Sequence, residues 1–467
     1  MFRKARRLHF VGVGGSGMSG IAEVLVNLDY TVSGSDLAVS PVTERLEQLG
    51  ARIHHGHRPE QVHGADAVVV SSAVGEDNPE VIEARRRRIP VIPRAEMLAE
   101  LMRLKHGVAV AGAHGKTTTT AMIAEVLTRG ELDPTVVIGG RVGSLSSGAK
   151  LGHGEIMVAE ADESDGSFLK MKPTIAVVTN IDREHLDYYR DLDEIRDAFT
   201  QFLARVPFYG AAVVCIDDAN VRAILPEIDR KVITFGLSEE ADVRATAVEV
   251  RGFASSFVVH AGKARLGEVQ LSVPGRHQVD DSLAAIAVAL ELDVPFDTIA
   301  AALAEFPGVD RRMQRRGEAL GASVLDDYGH HPTEIAATLA AVREGFASRT
   351  VVVFQPHRYS RTQALLEEFG ASFSLADRVI VTDIYAAGEA AIDGLDGATV
   401  ADALVRHGHP SVVYEPSLQA IPGLLRNTIR AGDVVLTLGA GDVWKVGEEL
   451  IRSAAGDGDG ARPRRSA

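Results

Sequence analysis

Gly107-Val108-Ala109-Val110-Ala111-Gly112-Ala113-His114-Gly115-Lys116-Thr117-Thr118-Thr119 is the stretch whose reading decides the fold of this chain. Its small apolar residues read as a buried strand, its glycines as a turn, and the run from Lys116 onward as a helix. That is the context a phosphate loop requires. Glycines let backbone N–H groups close around phosphate oxygens, and the helix N-terminus adds partial positive charge. In this reading Lys116 reaches the terminal phosphates and the Thr117 hydroxyl serves Mg2+, a hard cation that prefers oxygen. Val110 stands where the first glycine of the usual spacing would be, and Gly112 follows two residues later, so the loop is a shortened variant. The chain has nine lysines in 467 residues, so this one is not drawn from a crowd.

A triphosphate site also needs metal ligands. Val158-Ala159-Glu160-Ala161-Asp162-Glu163-Ser164-Asp165 places carboxylates at the end of an apolar strand, Ile156–Ala159. Ligands bind at the C-terminal ends of strands in open α/β sheets. Asn180-Ile181-Asp182-Arg183-Glu184-His185-Leu186-Asp187 follows the next apolar strand in the same way. With the loop, Glu160 and His185 become candidate Mg2+ ligands.

A second glycine turn lies at the start. Gly12-Val13-Gly14-Gly15-Ser16-Gly17 follows the strand Leu8–Val11 and precedes an apolar-periodic helix near Ile21–Asn27. Asp36 comes about 20 residues on, at the end of the next strand, which is the dinucleotide fingerprint in spacing. The physics it reports is diphosphate binding, not hydride transfer. An NAD-dependent oxidoreductase would use this turn but leave the Lys116 loop unexplained.

Working outward, three blocks differ in texture. Strands alternate with helices up to about residue 105. A second α/β block follows, with short alternating strands between about 231 and 273 that read as an antiparallel extension and a helix from Asp281 to Leu290. A third block starts near Phe306-Pro307-Gly308, with strands at Val351–Phe354, Arg378–Val381 and Val434–Thr437. Alternating strands and helices predict parallel sheets. Residues 455–467, rich in Gly, Asp, Ala and Arg, read as a disordered tail.

Hydrophobic residues make up 46% and charged residues 24%, which excludes a disordered or fibrous chain. The net charge of −15 argues against broad binding to nucleic acid. A lone cysteine, Cys215, excludes an intramolecular disulfide. There is no apolar run of about 18 residues and no signal-peptide pattern at the start. The expectation is a cytoplasmic protein without membrane insertion.

Together these residues identify a family. Gly14-Gly15-Ser16-Gly17-Met18-Ser19-Gly20-Ile21-Ala22-Glu23 resembles the UDP-binding start of the Mur ligases that build the peptidoglycan stem peptide. His114-Gly115-Lys116-Thr117-Thr118 is similar to their ATP loop, and Ala159–Asp165 to their Mg2+ segment. Asp326-Asp327-Tyr328-Gly329-His330-His331-Pro332-Thr333-Glu334 and Phe354-Gln355-Pro356-His357-Arg358-Tyr359-Ser360-Arg361-Thr362 resemble C-terminal segments of the alanine-adding branch. The resemblance spans about residues 8–450.

It implies an α/β protein of three domains: a Rossmann-like, UDP-substrate-binding domain over 1–105, a central P-loop-type ATP-binding domain over 106–308, and a Rossmann-like ligase domain over 309–454. It implies that L-alanine is joined to the lactyl carboxylate of UDP-N-acetylmuramate through an acyl phosphate, with ATP going to ADP and phosphate and Mg2+ as cofactor. Both a single chain and a homodimer fit it. The implied ATP contacts are Gly112, Ala113, His114, Gly115, Lys116, Thr117, Thr118, His277, Asp281, Arg312 and Asp327. Metal contacts are Thr117, Glu160 and His185. UDP-substrate contacts are Gly14, Gly15, Ser16, Gly17, Met18, Asp36, Ser71 and Ser72, with Tyr328, His330, Arg358 and Arg361 as the acceptor and carboxylate group. Lys116, His185, His330, Arg358 and Arg361 carry the catalytic roles. Ala113 replaces a usual Thr, Gln278 and Asp281 replace usual Asn residues, and Met313 replaces a usual Phe. No lysine occurs between Lys172 and Lys231, so the carbamylated Lys of several relatives is missing, as in the alanine-adding branch.

Overall fold

The computed structural model describes residues 6–71, 73–139, 148–186 and 188–458. The described residues fall into two compact units. One takes in the chain up to Ala247 with Phe257–Gln270 and Val279–Val309; the other takes Val248–Ser256, Leu271–Gln278 and the chain from Asp310 on.

The chain folds as three α/β domains, each built around one sheet. The first holds β1 (Arg7–Val11), β2 (Thr31–Asp36), β3 (Arg52–His55), β4 (Ala67–Val70) and β5 (Val91–Pro93), in the order β3-β2-β1-β4-β5, all parallel. The order reverses at β1, and a crevice at such a switch point is where an α/β sheet binds its ligand. Beneath it lies a buried polar cluster. The Glu80 carboxylate accepts from Ser35 Oγ at 2.5 Å and pairs with His9 Nε2 at 3.1 Å and His57 Nδ1 at 2.8 Å. Burial opposes its charge, but the contacts from His9 and Ser35 outweigh burial and hold this carboxyl below its ordinary range.

The central sheet has β6 (His106–Ala111), β7 (Thr135–Val137), β8 (Ala149–Lys150), β9 (Ile156–Glu160), β10 (Ile175–Val178), β11 (Ala211–Cys215), β12 (Val232–Gly236), β13 (Val243–Arg251), β14 (Ala254–Ala261) and β15 (Ala264–Leu271). Its order is β15-β14-β13-β12-β11-β10-β6-β9-β7-β8. β10 and β11 are buried at every residue, and β6 from Gly107 on. That is why they read as continuous apolar runs rather than alternating ones. Two-residue connections at Gly252-Phe253 and Gly262-Lys263 join β13, β14 and β15, with Gly252 at φ +56° and Gly262 at φ +55°. Such tight turns connect only antiparallel strands. The antiparallel extension is therefore present, but its strands run eight or nine residues and are not short.

The third sheet holds β16 (Gln314–Ala319), β17 (Ala322–Asp327), β18 (Thr350–Phe354), β19 (Arg378–Val381), β20 (Val412–Tyr414) and β21 (Val434–Leu438), in the order β16-β17-β21-β18-β19-β20. Only β16 runs antiparallel to its neighbour. The helix Trp444–Gly458 continues past 454, so residues 455–458, read from composition as the start of a tail, are helical; 459–467 lie outside the described residues. No helix of the described residues is long and apolar enough to cross a membrane.

Candidate active site

Register places the chemistry. β6 lies between β10 and β9, with Val110 paired to Glu160 and Ala111 to Val178. The turn after β6 therefore emerges between the carboxylates after β9 and the Asn180 segment after β10. Gly112 at φ +137° and Gly115 at φ +83° supply backbone that L side chains rarely adopt, and the helix Lys116–Arg129 starts directly behind them. Asn180 braces the turn. Its Oδ1 accepts from His114 N at 2.8 Å and its Nδ2 donates to His114 O at 3.0 Å. His114 Nε2 lies 3.1 Å from Asp182.

Lys116 Nζ donates to Gly112 O at 2.5 Å, Ala113 O at 3.0 Å and Glu163 Oε1 at 2.8 Å. Burial disfavours its charge, but Glu163, Glu160 and Glu184 outweigh burial and hold the ammonium above its ordinary value. Thr117 Oγ1 donates to Glu160, at 3.1 Å to Oε2, which also accepts from Gly139 N. His185 sits at φ +55°, and such strain in a non-glycine residue clusters at functional sites. Its Nε2 lies 3.5 Å from Glu163 and 3.7 Å from Glu184. Burial pulls its pKa down, but Glu163 and Glu184 win and raise it.

The expected metal ligands thus fall into two groups. Thr117 meets Glu160, while His185 gathers with Glu163 and Glu184, their ligand atoms within 4.8 Å of one another. Glu163 and Glu184 were absent from the residues expected by resemblance. Proximity to Lys116 identifies Glu163, but which of the five residues Glu160–Ser164 turns inward depends on the backbone. Phe168, fully buried against Phe199 and Phe202 at ring distances of 5.3 and 5.0 Å, anchors that segment. Truncating such a ring costs about 3–5 kcal/mol.

Asp281, one turn after His277 on the helix Arg276–Glu291, accepts from Thr119 Oγ1 at 2.9 Å. A methyl on Gly115 would lie 3.3 Å from its Cγ, so Asp281 packs against the phosphate turn itself. His277 is held neutral: burial and the Arg312 charge push its pKa down to about 4. Next to it, Gln278 Oε1 is buried without a hydrogen-bond partner among the described residues.

In the first domain the turn is shaped as its spacing predicts. Asp36 Oδ2 accepts from Gly14 N at 2.8 Å and Asp36 Oδ1 from Ala38 N at 3.2 Å, so this carboxylate fastens the turn. Gly15, Gly17 and Met18 lie at the start of the helix Ser16–Asn27, and Ser71 follows β4. Ser72, like Asp187, lies outside the described residues.

The ligase domain gathers the remaining residues. Asp327 accepts from Met313 N and Gly329 N, each at 2.7 Å; burial pushes its pKa up to about 6 against the pull of Arg312. Arg312 pairs with Glu334 at 3.0 Å, and its guanidinium lies 5.3 Å over the Tyr328 ring. His330 packs edge-on to Tyr328 at 5.5 Å and to His357 at 5.6 Å. His357 stacks on Tyr385 and contacts Arg361 Nη1 at 3.3 Å. Arg358, at φ +70°, donates from Nε to Glu389 at 2.6 Å. Sequence reasoning brought Tyr328, His330, Arg358 and Arg361 to one place; it passed over His357, which lies in the quoted segment beside Arg358, and missed Tyr385 and Glu389, whose only signal is spatial.

Three family models match in this order: Mur ligase family, catalytic domain, over residues 7–106; Mur ligase middle domain, over 110–289; and Mur ligase, glutamate ligase domain, over 311–441. A UDP-N-acetylmuramate–L-alanine ligase of Geobacter sp. (strain M21) is 58% identical over 452 residues, 97% of this chain and 98% of its own. Its counterpart in Desulfatibacillum aliphaticivorans is 57% identical over 97% of this chain and 100% of its own. Among solved structures, the UDP-N-acetylmuramate-alanine ligase of Thermotoga maritima aligns at 30% identity and a TM-score of 0.81, covering 97% of this chain and 99% of its own. A murein peptide ligase from Psychrobacter arcticus 273-4 aligns at 25% identity and a TM-score of 0.70, over 96% and 98%. With a glycine turn in each of the first two domains and an arginine-rich third domain, each where a family model falls, the chain belongs to the Mur ligase family.

Proposed function

We propose that this chain joins L-alanine to the lactyl carboxylate of UDP-N-acetylmuramate at the expense of ATP, an early cytoplasmic step of peptidoglycan synthesis. The observation that carries the reading is Lys116, an engaged ammonium at the mouth of the phosphate turn with three glutamates enforcing its charge. A carboxylate attacking a triphosphate brings two anions together, so fixed cations and positioning do most of the work. Residues 1–105 hold the UDP substrate, 106–308 hold ATP, and 309–454 hold the acceptor.

The donor set fits Mg2+. Glu163 Oε2 is buried and without a hydrogen-bond partner among the described residues, an unmet need that a hard cation answers. Thr117, Glu160 and His185 are the expected ligands, and the geometry adds Glu163 and Glu184. Bound there, Mg2+ would offset the charge of the triphosphate. Lys116 faces the charge that builds on the transferred phosphoryl group. Asn180 keeps the turn's backbone donors aimed. His277, Asp281, Arg312 and Asp327 are assigned to the nucleotide. Tyr328, His330, Arg358 and Arg361 are assigned to the acyl group and to the carboxylate of alanine, a task suited to guanidinium forks.

Phosphate release from MgATP with UDP-N-acetylmuramate, with and without L-alanine, tests the reading, with glycine and L-serine as controls. Release that needs both substrates, with an amide product of the right mass, is expected. Nucleotide binding without release would overturn the substrate assignment.

A further inference from the structure

The diphosphate turn brings no cation of its own: between Gly12 and Gly20 there is neither lysine nor arginine. Backbone N–H groups and a helix end offset a diphosphate only in part. A cation arrives from the far side of the same sheet. Arg94 follows β5 as the first residue of the helix Arg94–Met102, and its side chain lies against Gly17. A methyl on Gly17 would collide with Nη1 and lie 2.9 Å from Cζ and 3.1 Å from Cδ. The missing side chain at 17 is thus the room the guanidinium occupies.

This position is electrostatically wrong for an arginine on its own. It sits in the first turn of the helix Ser16–Asn27, whose N-terminus is already the positive end. What holds it is a carboxylate from the central domain: Arg94 Nη2 donates to Asp162 Oδ2 at 2.7 Å. Asp162 is itself fixed, since its Oδ1 accepts from Ser164 N at 3.0 Å. It stands between Glu160 and Glu163 in sequence. A cation pressed against a positive helix end, with one edge tied to a neighbouring carboxylate, is the arrangement an anion between them would complete. The fork geometry permits one edge on Asp162 and the other on a phosphate; a lysine has no second edge.

We propose that Arg94 is a diphosphate-contacting residue of the UDP-substrate site, and that its tie to Asp162 couples filling of that site to the glutamates around Lys116. The proposal rests on the UDP-substrate reading of the Gly12–Gly17 turn. Occupancy at one end then shifts the other reciprocally, as any coupling between two binding sites must.

Calorimetry on the full chain tests it, with UDP and UDP-N-acetylmuramate as probes, each with and without Mg2+ and a non-hydrolysable ATP analogue. Arg94→Ala is expected to weaken both UDP compounds by about thirtyfold, the worth of a charged hydrogen-bonded contact, while analogue binding alone stays within about twofold. Arg94→Lys recovers part of the loss and serves in its place if the alanine variant unfolds. Asp162→Asn is expected to keep most UDP affinity but to erase the effect of each ligand on the other. UDP affinity within about threefold of the parent in both Arg94 variants overturns the contact. Independent binding of the two ligands to the parent chain overturns the coupling. A parent chain that binds neither UDP compound overturns the underlying site reading as well, so the two failures are distinguishable.

Discussion

Two glycine turns follow the first strands of two neighbouring domains, Gly12–Gly17 and Gly112–Gly115, and they are finished differently. At the first, the Asp36 carboxylate accepts from Gly14 N and holds the turn's shape. At the second, charge converges: Lys116 on Glu163, Thr117 on Glu160, Asp281 on Thr119 and Asn180 on His114. A turn that only binds a phosphate needs shape and a cation beside it. A turn across which a phosphoryl group moves needs cations held in place before the reaction begins. Glycine spacing says where phosphate goes; the side chains that reach the turn say whether it is held or transferred.

The contrast is broken most directly at Lys116. Lys116→Ala should lower turnover by about a thousandfold or more while UDP-substrate affinity stays near the parent value. Phosphate release and calorimetry separate the two effects, and turnover within tenfold of the parent would remove this lysine from the chemistry. Next comes Glu163→Gln, which keeps shape but removes charge from both Lys116 and the His185 cluster. A loss of about a hundredfold, with a higher Mg2+ requirement in a metal titration, is expected; an unchanged Mg2+ curve would place the cation elsewhere. Asp36→Ala sharpens the other side. The Gly14 N–H loses its acceptor, costing about 1 kcal/mol, and the KM for the UDP substrate should rise severalfold with the KM for ATP unmoved. A shift in the ATP constant instead would undo the division of labour.

The smallest effect touches neither turn and calibrates the rest. His277 and His357 are held neutral in the fold, with pKa values pushed by burial down to about 4 and about 3. The unfolded chain protonates them near 6.5. Their contribution is therefore complete above pH 6.5 and is lost as pH falls through 4 and then 3. With their partial exposure it is on the order of 1 kcal/mol each. His277→Gln should flatten the fall in melting temperature between pH 7 and pH 4.5; an unaltered slope would mean that the folded ring accepts the proton freely.

What the sequence makes legible is what is local. Strand, turn and helix at Lys116 are contiguous, so the loop is readable even with Val110 in place of a glycine. The sheets are readable because strands such as Ile175–Val178 are apolar on both faces. Longer-range facts are not. Asp281 reaches Thr119 across 162 positions, and nothing in either residue's neighbours announces it. The resemblance implies an ATP contact for Asp281, and the fold lays its carboxylate on the phosphate turn. Glu389 holds Arg358 from 31 positions away, through a turn with Ala387 at φ +50° and Gly388 at φ +88°. The two groups of candidate metal ligands could not be told apart in sequence, because the direction each carboxylate faces is set by turns such as the one at Gly166, with φ +66°.

The bare Cα of Gly17, beneath the Arg94 guanidinium, also bears on how this protein can change over evolutionary time. One volume is shared by two positions 77 apart in the chain. Alanine at 17 would displace the end of the Arg94 side chain, and fits without displacement once residue 94 has been shortened. A lineage that first loses the arginine is then free to fill position 17, and a returning arginine finds its present room taken. Substitutions at these two sites should therefore be coupled, two distant positions tied by a single missing methyl group.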